Sequence, residues 1–234
     1  MAISSLPGWY GKLPSLGDFA SRRLPPLFVE PWDRWLAAGF ASWRQNDEAW
    51  IDAFLVAPTW RFALGAGLPF DQSPGYAGVL MPSVDRVGRY FPLTLLAFPD
   101  EGAAIPPPEF DAQDGWFAVA EEFLLSTLED TTTFEAVTAG LERLVNPSDD
   151  PLVARRSDMV EFKDGLIAQL HQRSLSDVFA SIRIADYANV YAAATFWWTI
   201  GGEGFQPLAM SGRRMPPPFQ FTQMLTGRFA FGYD

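Results

Sequence analysis

The stretch from Gly78 to Phe98, GVLMPSVDRVGRYFPLTLLAF, constrains this chain more than any other part of it. Two apolar runs, Val79-Leu80-Met81 and Tyr90 to Phe98, flank a polar insert running from Ser83 to Arg89. That pattern predicts two antiparallel strands joined by a short, charged connection. Gly88 supplies the positive φ that such a connection usually needs, and Pro82 and Pro92, which cannot donate to a ladder, mark a strand end or a bulge. The second run is apolar on both faces, Phe91, Leu93, Leu95 and Ala97 on one and Tyr90, Pro92, Leu96 and Phe98 on the other, with only Thr94 breaking the pattern. A strand of that kind belongs in the middle of a sheet with helices over both faces. The expected fold is α/β: one compact domain over residues 1–234, with a central, mainly antiparallel sheet flanked by helices on both sides.

Composition supports a packed core and excludes several chemistries. Of 234 residues, 48% are hydrophobic and 15% aromatic, too many for a disordered chain. With no cysteine there is no disulfide framework and no thiol nucleophile, which suits a reducing compartment. The start, MAISSLPGWYG, has neither a basic region nor an apolar core of the secretory kind, and no apolar run approaches the roughly twenty residues of a membrane span. A soluble, cytoplasmic protein is expected. Residues 101 to 164 hold 15 acidic against four basic residues and so carry the whole net charge of −11. Such a flank repels phosphate backbones and disfavours nucleic acid; it reads as a solvated helical surface before it reads as an acidic docking patch.

Along the chain, Gly8 to Leu13 reads as a strand ending at Pro14, Ser15 to Asp18 as a turn pivoting on Gly17, and Phe19 to Leu24 as a second edge. Trp32, Trp35, Leu36, Gly39, Phe40 and Trp43 share one stripe of an amphipathic helix expected over Pro31 to Gln45, with Pro31 in its first position. Asp47 is the expected cap of a shorter helix that buries Trp50, Ile51, Phe54 and Leu55. Trp60 to Leu64 alternates as a strand with Arg61 on the face opposite Trp60 and Phe62, where Asp18 or Asp85 are candidate partners for it. Residues 1–100 thus form the motif-bearing sheet core. Residues 101–190 read as an acidic helical layer. In it Asp111 or Asp114 caps a helix burying Phe117, Ala120, Leu124 and Leu128, and a Thr132/Glu135 capping box starts one burying Phe134, Val137, Leu141 and Leu144. Asn146 to Pro151 reads as a linker, followed by weak, mostly helical signals. Residues 191–234 close the fold with a strand over Val190 to Ile200, a hairpin partner over Pro207 to Met210, and a helix starting at Pro216-Pro217-Pro218.

The lone His171 has no second histidine or cysteine to make a metal or nucleophile–base set, and reads as a surface residue. Gly65-Ala66-Gly67 lacks the third glycine and helix start of a dinucleotide loop. What remains is a set of polar residues on loops: Lys12, Ser15, Asp18, Arg22, Ser83, Asp85, Arg86 and Arg89, with Arg61 on its strand. Two readings stay open. In one, Asp85 pairs with Arg89 across its own hairpin and Asp18 pairs with Arg22 or Arg61, so the charges pin loops together. In the other, arginines beside serines make a surface for a protein partner or, alternatively, an anion-binding or enzymatic pocket with Arg22, Arg61, Arg86 and Arg89 around a phosphate.

Four stretches resemble one known family. They are Gly8-Trp9-Tyr10-Gly11-Lys12-Leu13-Pro14-Ser15-Leu16-Gly17-Asp18-Phe19, Trp32-Asp33 with Trp35-Leu36, Ala57-Pro58-Thr59-Trp60-Arg61-Phe62, and Gly78 to Thr94. In this order they are similar to the TagF (ImpM) family of bacterial type VI secretion accessory proteins, with Phe196-Trp197-Trp198-Thr199 and Pro216 to Phe219 as weaker landmarks. The resemblance implies a cytoplasmic, non-enzymatic regulator. Such a protein represses type VI secretion post-translationally, alongside a threonine kinase and phosphatase pathway and a forkhead-associated scaffold protein as partner. It also implies a fold of longin-like kind; it supplies no catalytic residues, and no cofactor is expected. Lys12, Ser15, Asp18, Arg22, Arg61, Ser83, Asp85, Arg86 and Arg89 are the nominated contact surface.

Overall fold

A computed structural model describes residues 6–99, 105–110, 112–129, 132–144, 159–163, 165–170 and 174–229. Its centre is a seven-stranded sheet assembled from β1 (Gly8–Gly11), β2 (Ala20–Arg22), β3 (Trp60–Leu64), β4 (Tyr76–Met81), β5 (Leu93–Ala97), β8 (Ala194–Thr199) and β9 (Leu208–Arg213). The order is β2-β1-β5-β4-β3-β8-β9, and every neighbouring pair is antiparallel. The hairpin expected from the opening stretch is β4 and β5, paired from Ala77↔Ala97 to Met81↔Leu93. Beyond Met81 the ladder is reduced to one bridge, Val84↔Tyr90, because Pro82 and Pro92 cannot donate to it. Gly88 turns the tip with φ 81°.

Both faces of β5 are covered, as its sequence requires. On one face Tyr10, Trp60, Phe62, Leu80, Leu96 and Trp197 pack under α1 (Pro26–Asn46), α2 (Trp50–Leu55) and α7 (Pro218–Thr226). On the other, Trp9, Val79, Leu93 and Leu95 pack under α3 (Asp114–Ser126) and α4 (Phe134–Leu141). Thr94, the one polar residue in the run, is fully buried and accepts a 2.9 Å hydrogen bond from the Trp32 indole N–H, so α1 is keyed to the sheet at that point. Phe91 departs from the expected alternation. Past Pro92 its ring lies with the first cluster, edge-on to Tyr10 and Phe19.

The helix ends differ from the sequence expectation for local reasons. α1 starts a turn early because Pro26 takes the first position, which leaves Pro31 inside the helix without an N–H to donate. Asp47 closes α1, receiving the Trp43 indole N–H at 3.3 Å, and does not cap α2. In α2 only Phe54 is fully buried, and Leu55 is exposed. α4 is capped by Thr133, whose hydroxyl accepts from the Ala136 N–H at 3.1 Å, while Thr132 bonds back to the Ser126 carbonyl. Phe134 is only partly buried against its cluster, and Leu128 is exposed. The region expected to be mostly helical after residue 151 contains a two-stranded hairpin, β6 (Met159–Phe162) with β7 (Gly165–Ala168), before α5 (Leu175–Ala185) and α6 (Tyr187–Val190). Four-residue strands are too short for period-two alternation to separate from helical noise. The linker Asn146 to Pro151, Asp111 and His171 lie outside the described residues.

Gly39 faces α7 so closely that a Cβ there would stand 2.3 Å from the Phe221 ring, which sets the spacing of the two helices. Gly39→Ala is therefore expected to lower stability by about 1–3 kcal/mol in urea denaturation, the usual cost of overpacking. A wild-type midpoint would contradict this packing.

Candidate functional site

The two long motifs, roughly seventy residues apart in sequence, meet at the β1 end of the sheet around one carboxylate. The Asp85 side chain is fully buried and its Oδ2 accepts from Lys12 Nζ at 2.9 Å and from Arg89 Nε at 2.7 Å. Its Oδ1 accepts from the backbone N–H groups of Val87 at 3.1 Å and Arg89 at 2.9 Å. Four donors therefore occupy the acceptor sites of a single carboxylate. The loop closes on itself as well, with the Asp85 N–H donating to the Arg89 carbonyl and the Gly88 N–H to the Asp85 carbonyl. Burial acts to raise the Asp85 pKa, but the Arg89 backbone N–H, the hydrogen bonds from Lys12 and Arg89, and the Lys12 charge outweigh it and hold the group well below the usual carboxylate range.

Further bonds knit the first motif to the second. Ser83 Oγ donates to the Lys12 carbonyl at 2.7 Å, and the Arg86 N–H donates to the Leu16 carbonyl at 2.8 Å. The Arg89 guanidinium donates to the Gly17 carbonyl and stands 3.7 Å from Asp18. The Phe19 ring covers Lys12 with its centroid 4.8 Å from Nζ, so the ammonium is enclosed between a carboxylate and an aromatic face. The Ser15 hydroxyl is buried without a hydrogen-bond partner among the described residues. Lys12, Ser83 and Asp85 are thus internal.

Outward, the same loops present Asp18, Arg86 and the half-exposed Arg89, with Val87 and Phe19 beside them and Arg22 on the neighbouring edge strand. Neither Arg22 nor Arg86 has an ion-pair partner among the described residues. The expected Asp85–Arg89 pair is present. Asp18, however, faces Arg89, not Arg22 or Arg61.

Arg61 belongs elsewhere. It lies buried on the α3 side of β3, where Nε and Nη2 grip both oxygens of Glu121 at 2.9 and 2.7 Å, and Nη1 is 3.4 Å from Asp114. Cross-strand register puts Arg22, Trp9, Leu95, Val79 and Arg61 in one row, so Arg22 and Arg61 are four strand spacings apart, about 19 Å at the normal spacing of strands. Arg61 consequently leaves the nominated surface, and an anion pocket built from Arg22, Arg61, Arg86 and Arg89 together does not form. Glu121, its true partner, was missed by the sequence reading. The signal was available: Glu121 follows Phe117 by four residues, so a charge sits on an otherwise apolar helical stripe and needs a buried counter-charge.

A family model for the TagF N-terminal domain, described as type VI secretion system-associated, matches residues 8–144. The chain is a member of the TagF family. The matched TagF segment contains both knotted motifs, the Arg61 strand and the acidic helices α3 and α4. In structure the chain is similar to the crystal structure of PA0076 from Pseudomonas aeruginosa PAO1, with a TM-score of 0.78 and 35% identity over 97% of each chain. A search of curated proteins found no match. No helix among the described residues is long and apolar enough to cross a membrane.

Removing Asp85 leaves an enclosed ammonium without its counter-ion, so Asp85→Ala is expected to cost about 3 kcal/mol or more, read from urea unfolding. Because its folded-state pKa is lowered, Asp85 stabilises fully above the ordinary carboxylate value of about 4 and loses that contribution as pH falls through and below it. The wild-type unfolding midpoint should therefore drop more between pH 6 and pH 3 than that of Asp85→Asn; equal drops would contradict the assignment.

Proposed function

We propose that this TagF-family chain is a non-enzymatic, cytoplasmic regulator that represses type VI secretion post-translationally by occupying a forkhead-associated scaffold protein. The contact surface is the outer side of the knotted loops. One observation carries this reading: the buried members of the motifs are consumed by one another, while Asp18, Arg22, Arg86 and Arg89 face solvent on adjoining elements. A catalytic centre needs polar groups converging on a substrate, whereas here the enclosed ones, Lys12, Ser83 and Asp85, converge on each other. Charged and apolar side chains displayed around a rigid, internally bonded loop suit recognition by a protein surface, where exposed arginine is a frequent anchor.

Lys12, Ser83 and Asp85 hold this surface in shape and do not touch the partner. Arg89 does both, because it ties Asp85 to Gly17 while half of its side chain remains in solvent. Arg22 and Arg86 are therefore the discriminating positions. The double variant Arg22→Glu with Arg86→Glu should keep the wild-type melting temperature and bind the purified forkhead-associated scaffold at least tenfold more weakly, measured by biolayer interferometry. Unchanged affinity in the folded variant would contradict the surface.

A further inference from the structure

The far edge of the sheet carries an arrangement of its own. Ala193 and Arg214 occupy one register step beyond the Ala194↔Arg213 pair, and the Arg214 N–H donates to the Ala193 carbonyl at 2.7 Å. Antiparallel pairs alternate between hydrogen-bonded and non-hydrogen-bonded, so Ala194–Arg213, Phe196–Ser211 and Trp198–Ala209 are the non-bonded pairs. The backbone N–H and C=O groups of Ala209, Ser211 and Arg213 consequently point away from β8. Among the described residues β9 pairs with β8 alone, so this row of groups is open.

The side chains at this edge make a groove on the same face as Arg61, because Trp198 is its direct cross-strand neighbour. α3 packs over β4 and β5 and meets β8 through the Phe117 ring, which stands edge-on to Trp198 with centroids 4.7 Å apart. The uncovered space is a groove of about 510 Å³. Its floor is Phe196 and Trp198, both partly buried, with the small exposed Ala209 and Ser211 at the sheet edge. Glu109 and Asp114 stand on the opposite wall. Arg61 meets two carboxylates, Glu121 and Asp114, so that cluster keeps one excess negative charge, and the Asp114 side chain is 77% exposed. Glu109, exposed and hydrogen-bonded by the Tyr191 hydroxyl, adds a second.

We propose that the β9 edge docks an extended segment of a partner protein as an eighth strand. The segment places an apolar or aromatic side chain on the Phe196 and Trp198 floor and a lysine or arginine two residues away against Glu109 and Asp114. Residues two apart share a face of a strand, so one segment satisfies the open backbone groups, the apolar floor and the acidic wall together. This site is independent of the proposed scaffold contact, since β9 and β2 are the opposite edges of the sheet.

The test uses two fluorescent nonapeptides, alternating threonine and valine apart from one phenylalanine and, two residues on, either a lysine or a glutamate, titrated into the full chain at low salt. The lysine peptide should bind at least tenfold more tightly than its glutamate twin. Ser211→Pro removes an outward N–H without touching the β8 ladder, and it should lose at least tenfold in affinity while melting as the wild type does. Asp114→Lys should reverse the preference between the peptides, and it decides the matter if the proline variant does not fold. Equal or absent binding of the two peptides, or a folded Ser211→Pro that binds normally, would overturn the proposal. So would a dimer of the chain that Ser211→Pro dissolves, because the edge would then belong to a second copy.

Discussion

One buried carboxylate organises the motif end of this molecule. Asp85 receives an ammonium, a guanidinium and two backbone N–H groups, and two motifs far apart in sequence are held side by side as a result. Burying a charge is costly unless it is paired and its remaining acceptor sites are filled. Here the filling groups come from both loops, so neither loop can keep its shape without the other. A recognition surface benefits from this, because loops fixed before binding lose less entropy when the partner arrives.

The Asp85 cluster depends in turn on the sheet beneath it. Lys12 is delivered by the end of β1 and Asp85 by the connection leaving β4, and β5 lies between those strands, buried on both faces. The Trp32 indole, bonded to Thr94, ties α1 to the same strand from one side. The Arg61–Glu121 fork ties α3 to β3 from the other. Both are polar contacts inside apolar layers, where an unmet partner would be expensive, and they fix how each helical layer sits on the sheet.

Much of this was legible in the residues themselves. The two-faced apolar run of β5, the alternation of β3 and the tryptophan stripe of α1 are strong periodic signals, and each produced its element. The Asp85–Arg89 pair was also readable, since both lie in one seven-residue insert. Long-range pairing was not. The charge of Glu121 on an apolar helical stripe marks it as needing a buried partner, but the spacing of Arg61 does not say which carboxylate it meets, because that depends on how the chain brings α3 to β3. The four-residue strands β6 and β7 were illegible because so short a segment carries too little periodicity. Among the site residues, sequence gave the cluster but could not separate those that hold it, Lys12, Ser83 and Asp85, from those that face outward.

That separation is the centre of the account, and hydrogen–deuterium exchange of the chain, free and saturated with the forkhead-associated scaffold, tests it most directly. The prediction is added protection across residues 15–23 and 84–90, with the helices α3 and α4 unchanged. Protection confined to α3 and α4, with the two loops exchanging as in the free chain, would contradict it.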